Sequence, residues 1–263
     1  MTAYWAILKV RFIALLQYRT AALAGIFCQI FFGLIMVMAY GAFYRSSHTA
    51  QPLEYQQVIS YVWLGQIFYA LQPWGVDGEL ATLIRNGNVA YEMLRPLDLF
   101  THWYMRCIAL RTAPTLLRAV PMATIALCFL GMRPPASLAS AGAFLAALIG
   151  AVLLASALTL LMSMSLLWTI SGEGVISLVG TAAMFLSGMI VPLPFFPDWA
   201  QGTLNLLPFR GIVDAPFRLY LGQLPPEAVV GVLAHQLFWI STLILLGRWL
   251  LAHGCRRLVV QGG

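Results

Sequence analysis

The sequence predicts an all-α integral membrane protein of six transmembrane helices with both termini in the cytoplasm. Three observations carry that expectation. Hydrophobic residues make up 61% of the 263 positions and charged residues only 9%, against about 25% charged in a soluble domain. Uncharged runs long enough to cross a bilayer, roughly 20 residues, recur along the chain. Between them, Lys and Arg gather on alternate connections. With such short connections, residues 1–263 read as one membrane domain. The net charge of +6 is scattered in ones and twos beside apolar segments, which fits membrane topology and anionic lipid rather than nucleic acid.

The first element is expected over residues 1–19, where Lys9, Arg11 and Arg19 are spread among Tyr4, Trp5, Phe12 and Tyr18. That mixture suits an amphipathic helix lying at the membrane interface, and its long apolar run does not suit a cleavable signal. Spans follow at about 20–43, 58–76, 112–132, 136–170, 174–191 and 228–247. The second contains Gln66, Gln72 and Pro73, and the third carries Arg118 near one end, where a long side chain can snorkel. The fourth is uncharged over more length than a bilayer needs. Its middle, Gly150 to Ala155, holds no Pro or charge at which to turn, so one long tilted helix is expected. With the termini inside, Lys9, Arg11, Arg19, Arg85, Arg95, Arg106, Arg111, Arg248, Arg256 and Arg257 are cytoplasmic. Only Arg45, Arg133, Arg210 and Arg218 are then outside, which sets the orientation.

The most polar stretch is cytoplasmic, within residues 79–111. Asn86-Gly87-Asn88 signals a turn, and Arg95-Pro96 ends the short helix expected from Val89 to Leu94. Tyr91, Met93 and Leu94 with Arg85, Glu92 and Arg95 offer apolar contacts edged by both signs of charge. Docking of a partner is the preferred reading, and lipid-phosphate contact the plainer one. On the outer side, residues 192–226 are too apolar for an ordinary loop and too rich in proline for a span. Short helices dipping back into the outer leaflet are expected, either as an aromatic belt or as a lid. Glu173, in Ser171-Gly-Glu173-Gly174, is expected on a tight inner turn facing solvent, with a contact gating the cytoplasmic mouth as the minority view. Asp77 and Glu79 are two apart, so on a helix they do not face each other, and they are expected near water. No intramembrane acid is expected.

No catalytic or phosphate-binding pattern is present. His48, His102, His235 and His253 are isolated from one another, and Cys28, Cys107, Cys128 and Cys255 have no metal or disulfide spacing, so buried small apolar side chains are expected. The chain is therefore not expected to be an enzyme or to bind a metal or cofactor itself.

The whole order resembles an ABC-2 type permease, in particular the small six-span subgroup. The residues that carry the likeness are Ile84-Arg-Asn-Gly87, Leu94-Arg-Pro-Leu97, Ser187-Gly-Met-Ile-Val-Pro192, Phe196-Pro197 and Leu207-Pro208. The resemblance implies a bacterial inner-membrane exporter subunit paired with a second permease, identical or related. Two separate ATPase subunits would hold ATP and Mg. The segment at 79–111 would contain the coupling helix, with Arg85, Asn86, Gly87, Tyr91, Glu92, Arg95 and Pro96 against the ATPase. Trp63, Gln66, Tyr69, Met184, Phe185 and Met189 would line the path, and Pro192, Phe195, Phe196, Trp199 and Phe209 would close it outside. The aromatic and methionine-rich spans suit an amphipathic or hydrophobic substrate. A lipid-modifying enzyme acting through Asp98, His102 or Glu173 and a proton-coupled secondary transporter are the rival expectations.

Overall fold

A computed structural model describes residues 2–47, 49–168 and 172–254. His48, Ser171, Cys255, Arg256 and Arg257 lie outside the described residues. The described chain runs α1 (Thr2–Leu16), α2 (Arg19–Ser46), α3 (Tyr55–Ile67), α4 (Gly78–Arg85), α5 (Val89–Met93), α6 (Leu99–Phe129), α7 (Leu138–Ser165), α8 (Glu173–Leu186), α9 (Asp198–Leu206), α10 (Asp214–Tyr220) and α11 (Val229–Gly254). Four helices have the length and apolarity to cross a membrane: α2, α6, α7 and α11 with the turn before it. The other two expected spans are shorter, with 13 residues in α3 and 14 in α8.

Several expected boundaries move, each for a local reason. Span two starts early because Glu54 and Gln57 form a capping box. It stops at Ile67, followed by a 3-10 turn at Tyr69–Leu71, because Pro73 cannot continue a helix and disfavours helical backbone before it. Span three starts at Leu99, where the Asp98 carboxylate accepts from the Thr101 amide at 3.0 Å. Residues 99–111, expected in the cytoplasmic segment, are thus the first turns of a helix about 46 Å long at 1.5 Å per residue. The α6 helix continues through Pro114 and Pro121, and the Thr112 and Thr115 hydroxyls bond the carbonyls of Ile108 and Arg111 nearby. The fourth span is one unbroken helix, α7.

The N-terminal helix is not amphipathic in the expected sense. It packs along α6 with Tyr4, Leu8, Arg11 and Leu15 turned inward, while Trp5, Val10 and Ile13 face outward beside Lys9. Both faces are largely apolar, and a charge sits on the inner one. Nor are all the cysteines buried: Cys107 is, but Cys28 and Cys128 are exposed.

The centre of the molecule is α7, which packs on α11, α10 and α6. Ala143, Ala147, Ala151 and Ala155 are buried at every fourth position. In a membrane, where burial from water does not drive helix association, such small residues let backbones approach closely. Gly150 extends the effect. A side chain there would collide with Gln236, whose amide bonds the carbonyls of Ala147 at 2.8 Å and Gly211 at 2.7 Å. Beside α7 the core is aromatic, with Tyr61 of α3 and Phe68, which follows α3, against Phe217 of α10 at ring distances of 5.3 and 6.1 Å.

Candidate coupling face and intramembrane cavity

The α4–α5 segment forms a platform beside the start of α6. Asp77 caps α4, its carboxylate accepting from the Glu79 amide at 3.0 Å. Leu80, Ala81 and Ile84 are buried in a cluster with Val89, Phe100 and Trp103. Gly87 takes φ +70° at the turn between the helices, a left-handed conformation that glycine adopts without steric cost. Beyond it Tyr91, Met93 and Leu94 project outward, 70%, 51% and 81% exposed. Arg85, Asn86, Arg95 and Pro96 are exposed around them and Gly87 is partly so.

Glu92 is the exception among the residues expected on this face. It is buried, with its carboxylate 3.2 Å from Arg95 and 3.3 Å from the Nδ1 of buried His102. The second of these contacts lacks hydrogen-bond alignment. Asp98 is also engaged, with Arg248 at 3.1 Å. Glu92 is therefore withdrawn from the expected docking surface and holds the platform to α6, while Asp98 stays exposed and engages Arg248 of α11. What faces outward is an apolar knob flanked by arginines.

Asp77 and Glu79 do converge, contrary to the helical-spacing argument, because Asp77 precedes α4 rather than lying within it. The Arg106 Nη2 atom lies 3.0 Å from Asp77 and 2.9 Å from Glu79. Arg11 of α1 reaches the same pair at 3.4 and 2.6 Å. The Asp77 side chain is only 1% exposed, so it is not near water as expected. The Arg11 hydrogen bond, opposed by partial burial and reinforced by Arg106, holds the Glu79 carboxyl below its ordinary range. Burial raises the Asp98 carboxyl, but hydrogen bonds from Thr101 and the nearby Arg248 outweigh it and lower the group overall. Glu173, largely solvent-facing as expected, also lies 3.7 Å from Arg85. The platform is thus tied to α1, α6, α8 and α11.

Arg111 stabilises the break that follows α3. It is buried and donates to the carbonyls of Gln72 and Gly75, both at 2.6 Å, and to the Thr159 hydroxyl at 2.9 Å. Gln72 in turn donates to Ser187 at 3.0 Å. Irregular backbone away from water persists only where protein satisfies it, and one guanidinium does so here.

A cavity of about 370 Å³ opens between α2, α3 and α8. Four of the expected path residues, Gln66, Tyr69, Met184 and Met189, line it, and sequence reasoning missed Gln29, Phe32 and Arg118. Trp63 does not line it. It is fully buried, donates to the Leu130 carbonyl at 3.0 Å and lies against Gly33, because glycine in α2 lets the indole fill the interhelical gap. Phe185 is half-exposed on α8 and does not line the cavity either. A second, apolar groove of about 410 Å³ continues along α2 to Phe43 and Phe195, sharing Met36 and Ile190 with the first.

A family model for an ABC-2 family transporter protein matches residues 30–262. The chain belongs to the ABC-2 transporter family. The protein is accordingly an ABC-2 type permease, the multi-pass membrane component of an ABC transporter, a system whose ATPases are partner proteins. No curated protein and no solved structure matches the chain.

The 192–226 segment of the permease separates the residues expected to act together as an outer gate. Pro192 is buried, Phe195 packs on Tyr40 and Phe43 at 6.1 and 6.2 Å, and Phe209 joins the main core. Phe196 is partly buried, whereas Trp199 is 83% exposed. The segment also holds a residue that sequence reasoning excluded. Asp214 is fully buried, accepting from the Leu193 amide at 3.2 Å and the Tyr61 hydroxyl at 3.3 Å, with Arg218 at 3.6 Å. These contacts clamp α10 to α3, and Asp214 lines neither cavity described above.

Proposed function

We propose that the permease spans the bacterial inner membrane six times with both termini inside, and exports an amphipathic or hydrophobic compound. In this reading it works as a dimer with a second permease, identical or related. Two ATPase subunits, which hold the ATP and Mg, drive it by docking on residues 84–98. The observation that carries the reading is the exposed knob of Tyr91, Met93 and Leu94 on a platform tied to four other helices. An apolar knob rimmed by Arg85 and Arg95 fits an apolar socket edged by carboxylates. Closure of the ATPases then moves the platform, and the ionic ties pass that movement to the spans around the cavity. The outer segment from Pro192 closes the far side. Family membership favours this over a lipid-modifying enzyme, and Asp214, which lines neither cavity and bridges α10 to α3, fits a structural clamp better than a proton relay.

The test is the Tyr91→Ala, Leu94→Ala double variant co-purified with the cognate ATPase. Truncating interface anchors commonly costs ~2 kcal/mol or more each, so at least a tenfold loss of complex and of ATP turnover is expected. The thermal midpoint of the isolated permease stays unchanged, because both side chains are exposed. Full assembly and turnover in this variant rejects the docking site.

A further inference from the structure

Arg118 has no counter-ion among the described residues, none of whose carboxylates lies within ion-pair distance of it, and its Nε is buried without a hydrogen-bond partner. The guanidinium lies over Gly25 of α2, where even a methyl side chain would meet it at 2.7 Å, and it lines the cavity. An ionisable side chain within a span is costly unless paired or solvated, and such residues commonly mark a pathway. Snorkelling to the interface, the sequence expectation, leaves two further observations unexplained. Gln29, on the same cavity wall, is 5% exposed and its side-chain oxygen is also unpartnered. The cavity beyond is lined by Phe32, Met36, Met184 and Met189 and runs on into the apolar groove that ends at Phe43 and Phe195.

Among the described residues, one end of this furrow therefore carries an unneutralised cation with the Gln29 amide beside it, and the remainder is mainly apolar. From Gly25 to Phe43, α2 rises about 27 Å at 1.5 Å per residue, enough for an extended chain of many carbons. We propose that the cavity binds an anionic single-chain amphiphile, its carboxylate or phosphate on Arg118 and its chain along α2 toward Phe195. Arg118 supplies the charge-assisted hydrogen bonds, the Gln29 amide, one turn along α2 from Gly25, turns its N–H donors to the head by an amide flip, and the methionines accommodate chains of differing shape. Gly25 is what gives the guanidinium its place. The inference rests on the transporter reading and narrows its substrate class.

The experiment uses the full permease in nanodiscs of phosphatidylcholine and two probes, dansyl-undecanoic acid and its uncharged methyl ester. The acid is expected to bind saturably and at least tenfold more tightly than the ester. Arg118→Gln removes that preference, whereas Arg118→Lys, which keeps the charge without the fork, retains much of it. Dodecyl phosphate displaces the acid. An unchanged thermal midpoint in Arg118→Gln shows that the fold is intact. Gly25→Leu, with Arg118 present but displaced, weakens the acid and spares the ester, and so keeps the idea testable if Arg118→Gln misfolds.

Equal binding of acid and ester, or an acid preference that survives in Arg118→Gln, overturns the proposal. So does displacement of the acid by phosphatidylglycerol in the nanodisc at concentrations where dodecyl phosphate does not act, since the site then belongs to resident lipid. Failure here with a normal ATPase complex refutes only the substrate class. Selective acid binding by a permease that assembles with no ATPase refutes the docking reading instead.

Discussion

At the scale of single residues, buried guanidinium groups do the work that water does in a soluble protein. Arg111 is the clearest case, because its partners are carbonyls freed by the Pro73 break rather than carboxylates. Replacing it with Met leaves those carbonyls buried and unpaired, at roughly 1–3 kcal/mol for each. The expected outcome is a marked fall in the thermal midpoint of the detergent-solubilised permease. Arg111→Lys should recover only part, since an ammonium cannot present two parallel donors, and an unchanged midpoint in Arg111→Met refutes the role. Glu79 gives a pH dependence. Its folded-state carboxyl is held below the ordinary value of 4.5, so its contribution is complete above that value and is lost as pH falls toward the folded-state one. The group is 61% exposed, so salt screens the effect and its size is modest. Wild type should lose thermal stability more steeply than Glu79→Gln as pH drops below about 4.5, and 0.5 M salt should narrow the gap. Parallel curves would mean that the Arg11 contact contributes nothing.

At the scale of elements, length and charge made α2, α7 and α11 legible before any coordinates, because an uncharged run of more than 20 residues has few alternatives in lipid. The ends of α3 and the start of α6 were not legible to the same degree. The groups that stabilise the break after α3 are distant in sequence, with Arg111 36 residues from Gly75, and no window of local hydropathy contains both. The Asp98 cap was visible in principle as an acid before a helical run, but the polar stretch around it masked the signal. The α7–α11 contact allows a direct check. Gly150→Ala should push Gln236 off the Ala147 and Gly211 carbonyls and lower stability by about 1–3 kcal/mol. Combining it with Gln236→Leu should cost clearly less than the sum of the two single changes, because both remove the same bonds. Additive losses in thermal unfolding would show that the amide and the glycine are independent.

At the scale of the whole molecule, the platform and the cavity are joined through the ionic ties, and these were the least legible part of the site. The sequence pointed to the knob through Tyr91, Met93 and Leu94, yet Arg11 and Asp77 meet across 66 residues, and helical spacing alone set Asp77 and Glu79 apart. Glu92 was read as a surface charge for want of any local sign that His102 would bury it. Arg118 was read as snorkelling because the glycine that seats it belongs to another helix. The ties make a prediction about transmission. Arg11 links α1 to the platform through Glu79 and Asp77, while Arg106 holds the same two carboxylates from α6. Arg11→Gln therefore removes one link and leaves Arg106 holding both carboxylates, with the one net negative charge shared by Glu79, which is solvent-exposed. Partly exposed pairs of this kind contribute roughly 0–1 kcal/mol, so the fold and the ATPase complex should survive. If the ties carry the movement, ATP binding to the wild-type complex changes amide hydrogen exchange in both α4–α5 and α1. In Arg11→Gln the change persists in α4–α5 and disappears from α1, with Arg11→Lys intermediate. An α1 response equal to wild type would mean that movement reaches α1 through its apolar packing on α6, and that the ionic link is dispensable.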